Sequence, residues 1–175
     1  MVRKVEVVPH DTSWSRVFQA EAERLAQVYG QEMVAVHHIG STAIPGISAK
    51  PIIDILVEVR EIEKVDRFNA DMVALGYQPM GEFGIPRRRF FVKGGDASRT
   101  HHVHVFQVGD LEITRHLDFK AYMFAHPEAA QAYGRLKEEL ARQFPGDIEG
   151  YTAGKDEFIK RMDMEAKAWR ESLEE

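Results

Sequence analysis

The sequence HHIGSTAIPGISAKPIIDILV occupies residues 37–57 and joins two apolar segments through a loop rich in turn-forming residues. The first segment covers residues 33–39 and the second covers residues 51–59, and both consist mostly of apolar side chains. Short apolar runs bounded by turn signals predict strands that are covered on both faces. Asp54 stands out because it places a carboxylate inside the second predicted strand.

The rest of the chain predicts helices and one hairpin. Apolar residues recur at helical spacing before Gly30 and over residues 61–75, which predicts two amphipathic helices. Residues 87–93 and 99–108 predict a hairpin through Gly94-Gly95-Asp96, while residues 2–8 favour an edge strand or an extended arm. Beyond residue 111 the sequence predicts helices over residues 117–124, from Pro127 to a break at Pro145, and in the last segment.

These elements predict an α/β (α+β) fold, in which a mixed β-sheet is packed by helices and the C-terminal portion is helical. A length of 175 residues fits one domain over residues 1–175. The chain has 28 acidic and 23 basic residues, a net charge of -5, which argues against general binding to nucleic acid or to an anionic membrane. It has no cysteine, which excludes disulfides and thiolate zinc sites. Without an apolar leader or a long apolar run, we expect a cytoplasmic protein that does not span a membrane.

The loop after the first predicted strand has the residue types of a phosphate-binding turn. Glycine lets the backbone approach a phosphate closely, and nearby N–H and hydroxyl groups can donate to its oxygens. Gly40, Ser41 and Thr42 fit that description, while Lys50 could balance a phosphate charge or pair with Asp54. A Gly-Ser-Thr tripeptide alone is also an ordinary turn. The segment Lys50-Pro51-Ile52-Ile53-Asp54 that follows favours the phosphate-binding interpretation.

The stretch from His37 to Ile55 resembles the signature of the GrpB family. The resemblance extends over most of the chain, through further matching positions: Val8-Pro9, Trp14, Phe18, His102-Val103-His104, Arg115-His116-Leu117, Tyr151, Lys155 and Phe158. It implies a nucleotidyltransferase-like fold, in which a Gly-Ser motif at the end of one strand precedes carboxylates on the next. A nucleotide or a coenzyme A-related molecule is the ligand class that the resemblance suggests.

One position departs from the pattern of active nucleotidyltransferases. Those enzymes place two carboxylates two residues apart on the second strand, so that both can hold metal ions. Here Leu56 stands two residues after Asp54, and Glu58 lies about 13 Å from Asp54 along an extended strand. A two-metal mechanism is therefore not expected.

His102 and His104 offer a different set of metal ligands, because alternate residues of a strand share one face. If their strand lies beside the strand of Asp54, the three side chains suit Zn²⁺ or Mn²⁺ better than Mg²⁺. The alternative is a polar pair of histidines satisfied by neighbouring groups.

Three further residues are candidates for contacts with the ligand. His38 could act as an acid or base near neutral pH, or could simply bind backbone groups at the strand end. Arg89 and Arg115 belong to the basic residues around the hairpin, which predict a phosphate clamp or a solvated face.

Three functions remain open from the sequence. The first is a nucleotidyltransferase-like protein that binds a nucleotide with a divalent metal and has an unknown acceptor. The second is a module that binds a nucleotide or coenzyme A-related ligand without turnover, and the third is a metal-dependent hydrolase at Asp54, His102 and His104. The apolar stripe of the last helix would also suit a homodimer.

Overall fold

The computed structural model describes residues 4–95 and 98–174. The chain forms two compact units, each built from separate segments. The sheet unit contains residues 13–39 and 52–113, and the helical unit contains residues 4–12, 40–51 and 114–174.

The sheet unit is built on five strands in the order β1-β2-β5-β4-β3. Their bounds are β1 Met33–Ile39, β2 Ile53–Val59, β3 Tyr77–Pro79, β4 Arg89–Lys93 and β5 His101–Gln107. The strands β2 and β5 run parallel, and every other neighbouring pair is antiparallel. The sheet is therefore mixed, as the sequence predicts.

The register of the strands separates the sheet into two faces. Ile39 pairs with Asp54, Asp54 pairs with His102, and Val92 pairs with His102 from the other side. Because paired residues in neighbouring strands point to the same side, Asp54 and the even-numbered residues of β4 and β5 share one face, called here the Asp54 face. The opposite face carries the odd-numbered residues of β4 and β5.

The helix α1 (Trp14–Tyr29) covers the second face, called here the α1 face. Its buried residues Trp14, Glu21, Leu25 and Tyr29 recur at intervals of seven, four and four, which is the spacing of one helical stripe. Glu21 is the polar member of that stripe. Its carboxylate accepts hydrogen bonds from Tyr77 Oη at 2.9 Å and from Lys93 Nζ at 2.8 Å.

The helix predicted over residues 61–75 is only partly an α-helix. A 3₁₀ segment, Ile62–Phe68, precedes α2 (Asn69–Ala74). Hydrogen bonds to other parts of the sheet unit hold the start of this segment, because the N–H groups of Glu61 and Ile62 donate to the side chains of Glu32 and Gln107. Tertiary contacts thus override the uniform helical periodicity of the sequence.

The helical unit contains most of α3 (Leu111–Ala125), together with α4 (Pro127–Gln143) and α5 (Ile148–Leu173). Residues from all three helices pack with the 40–51 segment in one core, formed by Ile44, Ile47, Met123, Ala130, Tyr133 and Met162. The N-terminal segment pairs with the same unit, since Val8 forms a β-bridge with Ala49 and Val5 N–H donates to Pro145 O. None of the helices in the described part of the chain is long and apolar enough to cross a bilayer.

The predicted hairpin is present as β4 and β5, and Gly94 and Gly95 have φ values of 102° and 74°. Asp96, the third residue of that predicted turn, lies outside the described residues, as do residues 2 and 3 of the predicted N-terminal arm. Two features of the structure differ from the prediction. Strand β3 was not predicted, and α3 begins six residues before the predicted start at residue 117.

Candidate functional site

Asp54, His102 and His104 meet on one face of the sheet unit and are called here the Asp54 cluster. The parallel pairing of β2 with β5 places His102 beside Asp54 and His104 beside Leu56. Asp54 Oδ1 lies 3.5 Å from His102 Nδ1 and 3.3 Å from His104 Nε2. Both imidazoles therefore approach the same carboxylate oxygen, because the strand that carries them lies beside the strand of Asp54.

The cluster keeps its carboxylate ionised. Burial alone would raise the pKa of the Asp54 carboxyl group, but hydrogen bonding and charge interactions with His102 and His104 hold that pKa well below its usual range. The Asp54 side chain is still 28% exposed, so a ligand can reach it.

Arg88 determines the tautomer of His104. The guanidinium can only donate, and its Nη1 lies 3.2 Å from His104 Nδ1, so that nitrogen accepts and Nε2–H donates to Asp54. Burial lowers the pKa of His104 and the charge of Arg88 lowers it further, while Asp54 opposes both effects. His104 is thus a neutral imidazole held between a cation and an anion.

Arg88 is itself anchored. Its Nη2 donates to Phe83 O at 2.9 Å and its Nε donates to Glu82 O at 3.2 Å. The guanidinium carbon lies 4.5 Å from the centre of the Phe90 ring, and that ring also contacts both histidines of the cluster. Arg88 is a buried cation that sequence reasoning passed over in favour of Arg89.

Arg89 is not placed beside the Asp54 cluster. It pairs with Val105, so its side chain lies on the α1 face. Its Nε donates to Asp66 Oδ1 at 2.8 Å, and this ion pair raises its pKa. The prediction that Arg89 belongs to a phosphate clamp is wrong for a ligand bound at Asp54, because strand alternation selects Arg88.

His38 also lies on the α1 face. It pairs with Ile55, is buried, and stacks on Phe18 with ring centres 4.8 Å apart. The prediction that His38 serves as acid or base beside Asp54 is therefore wrong. The neighbouring His37 is on the Asp54 face instead, where its Nε2 lies 2.5 Å from Glu58 Oε2.

Leu56 lies between Asp54 and Glu58 on the Asp54 face and is fully buried. Its partner in β5 is His104. The strand position that would carry a second carboxylate in an active nucleotidyltransferase is thus an apolar packing position in this chain.

The chemistry of the Asp54 cluster fits a transition metal, but its side chains do not form a ready-made cage. Two imidazoles and a carboxylate are common Zn²⁺ ligands, and donors around a tetrahedral ion at about 2.1 Å lie about 3.4 Å apart. The two donor distances of 3.3 and 3.5 Å from Asp54 Oδ1 match that separation. However, no group of three or more His, Cys, Asp or Glu residues among residues 4–95 and 98–174 is arranged to hold an ion. The histidines contact the carboxylate itself, so metal binding stays a prediction.

The predicted phosphate loop belongs to the helical unit. Gly40 has φ 75° and ψ −173°, a conformation nearly restricted to glycine. Ser41–Ala43 then form a 3₁₀ turn, in which Ala43 N–H donates to Gly40 O and Thr42 is buried. Glycine is the residue that adopts this backbone conformation readily, so the residue type at position 40 fits the turn that follows it.

Two other predicted ligand contacts also lie in the helical unit. Lys50 Nζ lies 5.1 Å from the centre of the Tyr151 ring. Arg115 donates from Nη1 to Asp163 Oδ2 at 3.2 Å, and its Nη2 lies 3.2 Å from His116 Nε2. The roles of Lys50, Arg115, Gly40, Ser41 and Thr42 in ligand binding remain predictions.

Comparison with a solved structure shows the class of fold. Terminal uridylyl transferase 4 from Trypanosoma brucei, solved with bound dUTP, has a TM-score of 0.52 to this structure at 12% identity, over 83% of this chain and 52% of that chain. The mixed sheet with its helices is accordingly a nucleotidyltransferase-like α+β fold, as the sequence predicts.

The chain belongs to the GrpB family, whose model, described as GrpB protein, matches residues 4–165. Conserved protein GrpB from Enterococcus faecalis has a TM-score of 0.90 and 44% identity, over 94% of this chain and 99% of that chain. UPF0157 protein YqkA from Bacillus subtilis (strain 168) is 51% identical over 168 residues, which is 96% of this chain. The chain spans 49% of the length of YqkA, about half of that relative.

Proposed function

We propose that this protein binds a nucleotide or another phosphate ligand, together with a divalent metal ion, at the Asp54 cluster and transfers a nucleotidyl or related phosphoryl group. The observation that carries the proposal is the approach of two imidazoles to one oxygen of an ionised carboxylate. Carboxylate and imidazole groups are the ligands that Mn²⁺ and Zn²⁺ take in proteins, and such ions bind phosphate oxygens.

In this proposal the three residues of the Asp54 cluster share one task, and Arg88 contacts one of them. Asp54, His102 and His104 would hold the ion, whose positive charge would stabilise the charge on the phosphate oxygens. Arg88 donates to Nδ1 of His104, so Nε2 carries a proton while that hydrogen bond is in place. To bind the ion through Nε2, His104 would have to move this proton to Nδ1 and give up its hydrogen bond with Arg88. The sheet supplies rigid support for all three side chains.

The transfer itself exchanges one P–O bond for another. The oxygen of an acceptor hydroxyl forms a bond to the α-phosphorus, and the bond from that phosphorus to the bridging oxygen breaks. Pyrophosphate leaves with the electron pair of the broken bond, and the acceptor proton passes to solvent. Within the helical unit, the Gly40-Ser41-Thr42 turn has N–H and hydroxyl groups of the kind that bind phosphate oxygens, which is the role that the resemblance to the family signature implies.

Leu56 favours a second candidate function, binding without turnover. With an apolar residue at the second carboxylate position, the cluster has fewer anionic groups than a two-metal site requires. The protein would then bind a nucleotide or a coenzyme A-related ligand as a regulatory module.

Calorimetric titration separates these functions. We expect ATP, CTP or GTP to bind in the presence of Mn²⁺ and to bind much more weakly without it. Release of pyrophosphate in the presence of candidate acceptors would support transfer, while binding without release would support the second function. Absence of binding for all three nucleotides, with and without metal, would contradict both.

The substitution Asp54→Asn tests the role of the carboxylate. We expect it to abolish the metal-dependent part of nucleotide binding, because the amide keeps the shape of the side chain but lacks its charge. Asp66→Asn is the matched control, since Asp66 is an exposed aspartate paired with Arg89 on the α1 face. Equal metal-dependent binding by both variants would exclude Asp54 as a ligand.

A further inference from the structure

Phe83 lies in the segment of residues 80–88 that leads into β4, and 55% of its surface is exposed. Its ring stacks on the ring of Phe90, with the two ring centres 5.5 Å apart and an angle of 19° between the planes. Because only one face of the Phe83 ring contacts Phe90, the exposed surface includes the opposite face. A second aromatic ring could stack there.

Phe90 connects Phe83 to the Asp54 cluster. It pairs with His104 and therefore lies on the Asp54 face of the sheet unit. The centre of its ring is 5.4 Å from the His102 ring and 5.1 Å from the His104 ring. A single ring thus separates Phe83 from the two imidazoles. A nucleotide has a similar layout, since one ribose separates its nucleobase from the α-phosphate.

The backbone of Phe83 has a conformation that is unusual for a residue with a side chain. Its φ is 47°, and the φ of Arg87 in the same segment is 70°. Glycine adopts such values without strain, yet a large aromatic residue stands at position 83. Strain of this kind persists where surrounding contacts hold it, and it is common at ligand-binding segments.

Hydrogen bonds hold Phe83 and its neighbours in this conformation. Arg88 donates from Nη2 to Phe83 O at 2.9 Å and from Nε to Glu82 O at 3.2 Å. Glu82 also accepts from two N–H groups of the segment, those of Ile85 and Arg87. The Phe83 ring is therefore fixed before a ligand binds, and these polar groups already bind one another. A nucleobase at this place would be recognised mainly through its ring face.

The space around the segment is open. A Cβ atom built on Gly81 or on Gly84, the two glycines that flank Glu82 and Phe83, would meet no other atom within 4 Å. The Asp54 side chain is 28% exposed. Both ends of an extended ligand would therefore have access, one end to the ring and the other to the carboxylate.

We propose that Phe83 stacks on the nucleobase of a nucleotide bound at the Asp54 cluster and favours a purine over a pyrimidine. The identity of the ligand at Asp54 rests on the proposed function, and this inference adds the residue that binds the nucleobase. Stacking on an aromatic side chain tolerates any base, because every base has a π face. A purine has the larger ring system, so ATP and GTP should bind alike and more tightly than CTP.

The test is calorimetric titration of the full chain with ATP, GTP, CTP and inorganic triphosphate, each in the presence of Mn²⁺. We expect Phe83→Ala to weaken ATP binding about tenfold, which is the effect of removing one stacking contact. Binding of inorganic triphosphate, which has no nucleobase, should not change. Phe124→Ala is the matched control, because Phe124 is similarly exposed, at 50%, and lies in α3 within the helical unit.

Phe83→Trp keeps an aromatic face and adds a fluorescent one. ATP should quench the added emission, whereas inorganic triphosphate should not. Quenching by ATP that needs no metal and persists when Asp54→Asn is added would support this inference while contradicting the proposed function.

The inference is overturned if Phe83→Ala binds ATP as tightly as Phe124→Ala does, or if Phe83→Ala weakens the binding of inorganic triphosphate as much as that of ATP. Equal affinity of the unsubstituted protein for ATP and CTP would also overturn it. If none of the nucleotides binds, with or without metal, both this inference and the proposed function are wrong.

Discussion

Gly40 shows how one residue can fix the geometry of a loop. It follows β1 directly in sequence, and its φ of 75° with ψ of −173° falls in a region that a side chain makes costly. The 3₁₀ turn over Ser41–Ala43 begins at the next residue, so the direction of that turn depends on this backbone conformation. Identifying Gly40 from sequence was feasible because glycine beside Ser-Thr is a known turn signal.

Replacing Gly40 by alanine should reduce stability. We expect Gly40→Ala to lower the free energy of unfolding by about 1–3 kcal/mol, because the Cβ atom strains this conformation. Urea unfolding followed by circular dichroism measures the change. Gly146→Ala is the control, since Gly146 does not have a positive φ and its Cβ would meet no atom within 4 Å. A loss of stability at Gly146 equal to that at Gly40 would contradict the argument.

The choice between neighbouring residues was the weak point of sequence reasoning at this scale. Arg88 and Arg89 look equivalent in the sequence, as do His37 and His38. Alternation tells us that neighbours face opposite sides, but only the register with the next strand tells us which side is which. The register assigns Arg88 to the Asp54 face and His38 to the α1 face.

The elements of the sheet unit are joined by Glu21, whose carboxylate connects α1 to β3 and β4. Tyr77 and Lys93 donate to its Oε1, and Arg24 donates to its Oε2 at 3.0 Å. Burial would raise the pKa of Glu21, but these hydrogen bonds and the charge of Lys93 lower it below the usual 4.5. A helical periodicity based on apolar residues alone cannot find a buried glutamate, because its partners come from distant strands.

Glu21→Gln should destabilise the protein in a pH-dependent way. Near pH 7 we expect a loss of about 2–3 kcal/mol, because hydrogen bonds to a charged group are replaced by neutral ones. Since the folded pKa is lower than the unfolded pKa, the carboxylate stabilises the fold fully above about pH 4.5, and this stabilisation disappears as the pH falls through the folded pKa. The difference between the two proteins should therefore shrink in acid.

Urea unfolding at about pH 7 and about pH 3 measures this difference. Glu61→Gln is the control, because Glu61 forms an exposed ion pair with Lys64 and such pairs contribute little. A pH-independent loss at Glu21, or an equal loss at Glu61, would show that the charge of Glu21 does not stabilise the sheet unit.

The strands and helices were predicted to different degrees for physical reasons. β1, β2, β4 and β5 were predictable because each is a compact apolar or alternating run bounded by turn residues. β3 has only three residues, Tyr77–Pro79, which is too short for a periodic signal. The pairing of β2 with β5 was only a condition of the predicted metal site, since separation in sequence alone does not determine which strands become neighbours.

At the scale of the whole molecule, the distribution of charge says more about the kind of ligand that binds than the net charge does. The chain carries a net charge of -5, yet its sheet unit buries Arg88 beside the Asp54 cluster. An acidic protein with local cations suits a small anionic ligand better than a long nucleic acid, whose binding rewards a broad basic surface. The cytoplasmic location, the homodimer and the single domain remain predictions.

Anomalous scattering from crystals grown with Mn²⁺ and ATP tests directly whether the Asp54 cluster binds a metal ion together with a nucleotide. We expect a manganese peak bonded to Asp54 and to His102 or His104, with phosphate density on the ion, and no such peak in Asp54→Asn. A well-occupied nucleotide or manganese site elsewhere, with both histidines still in contact with the Asp54 carboxylate, would contradict it.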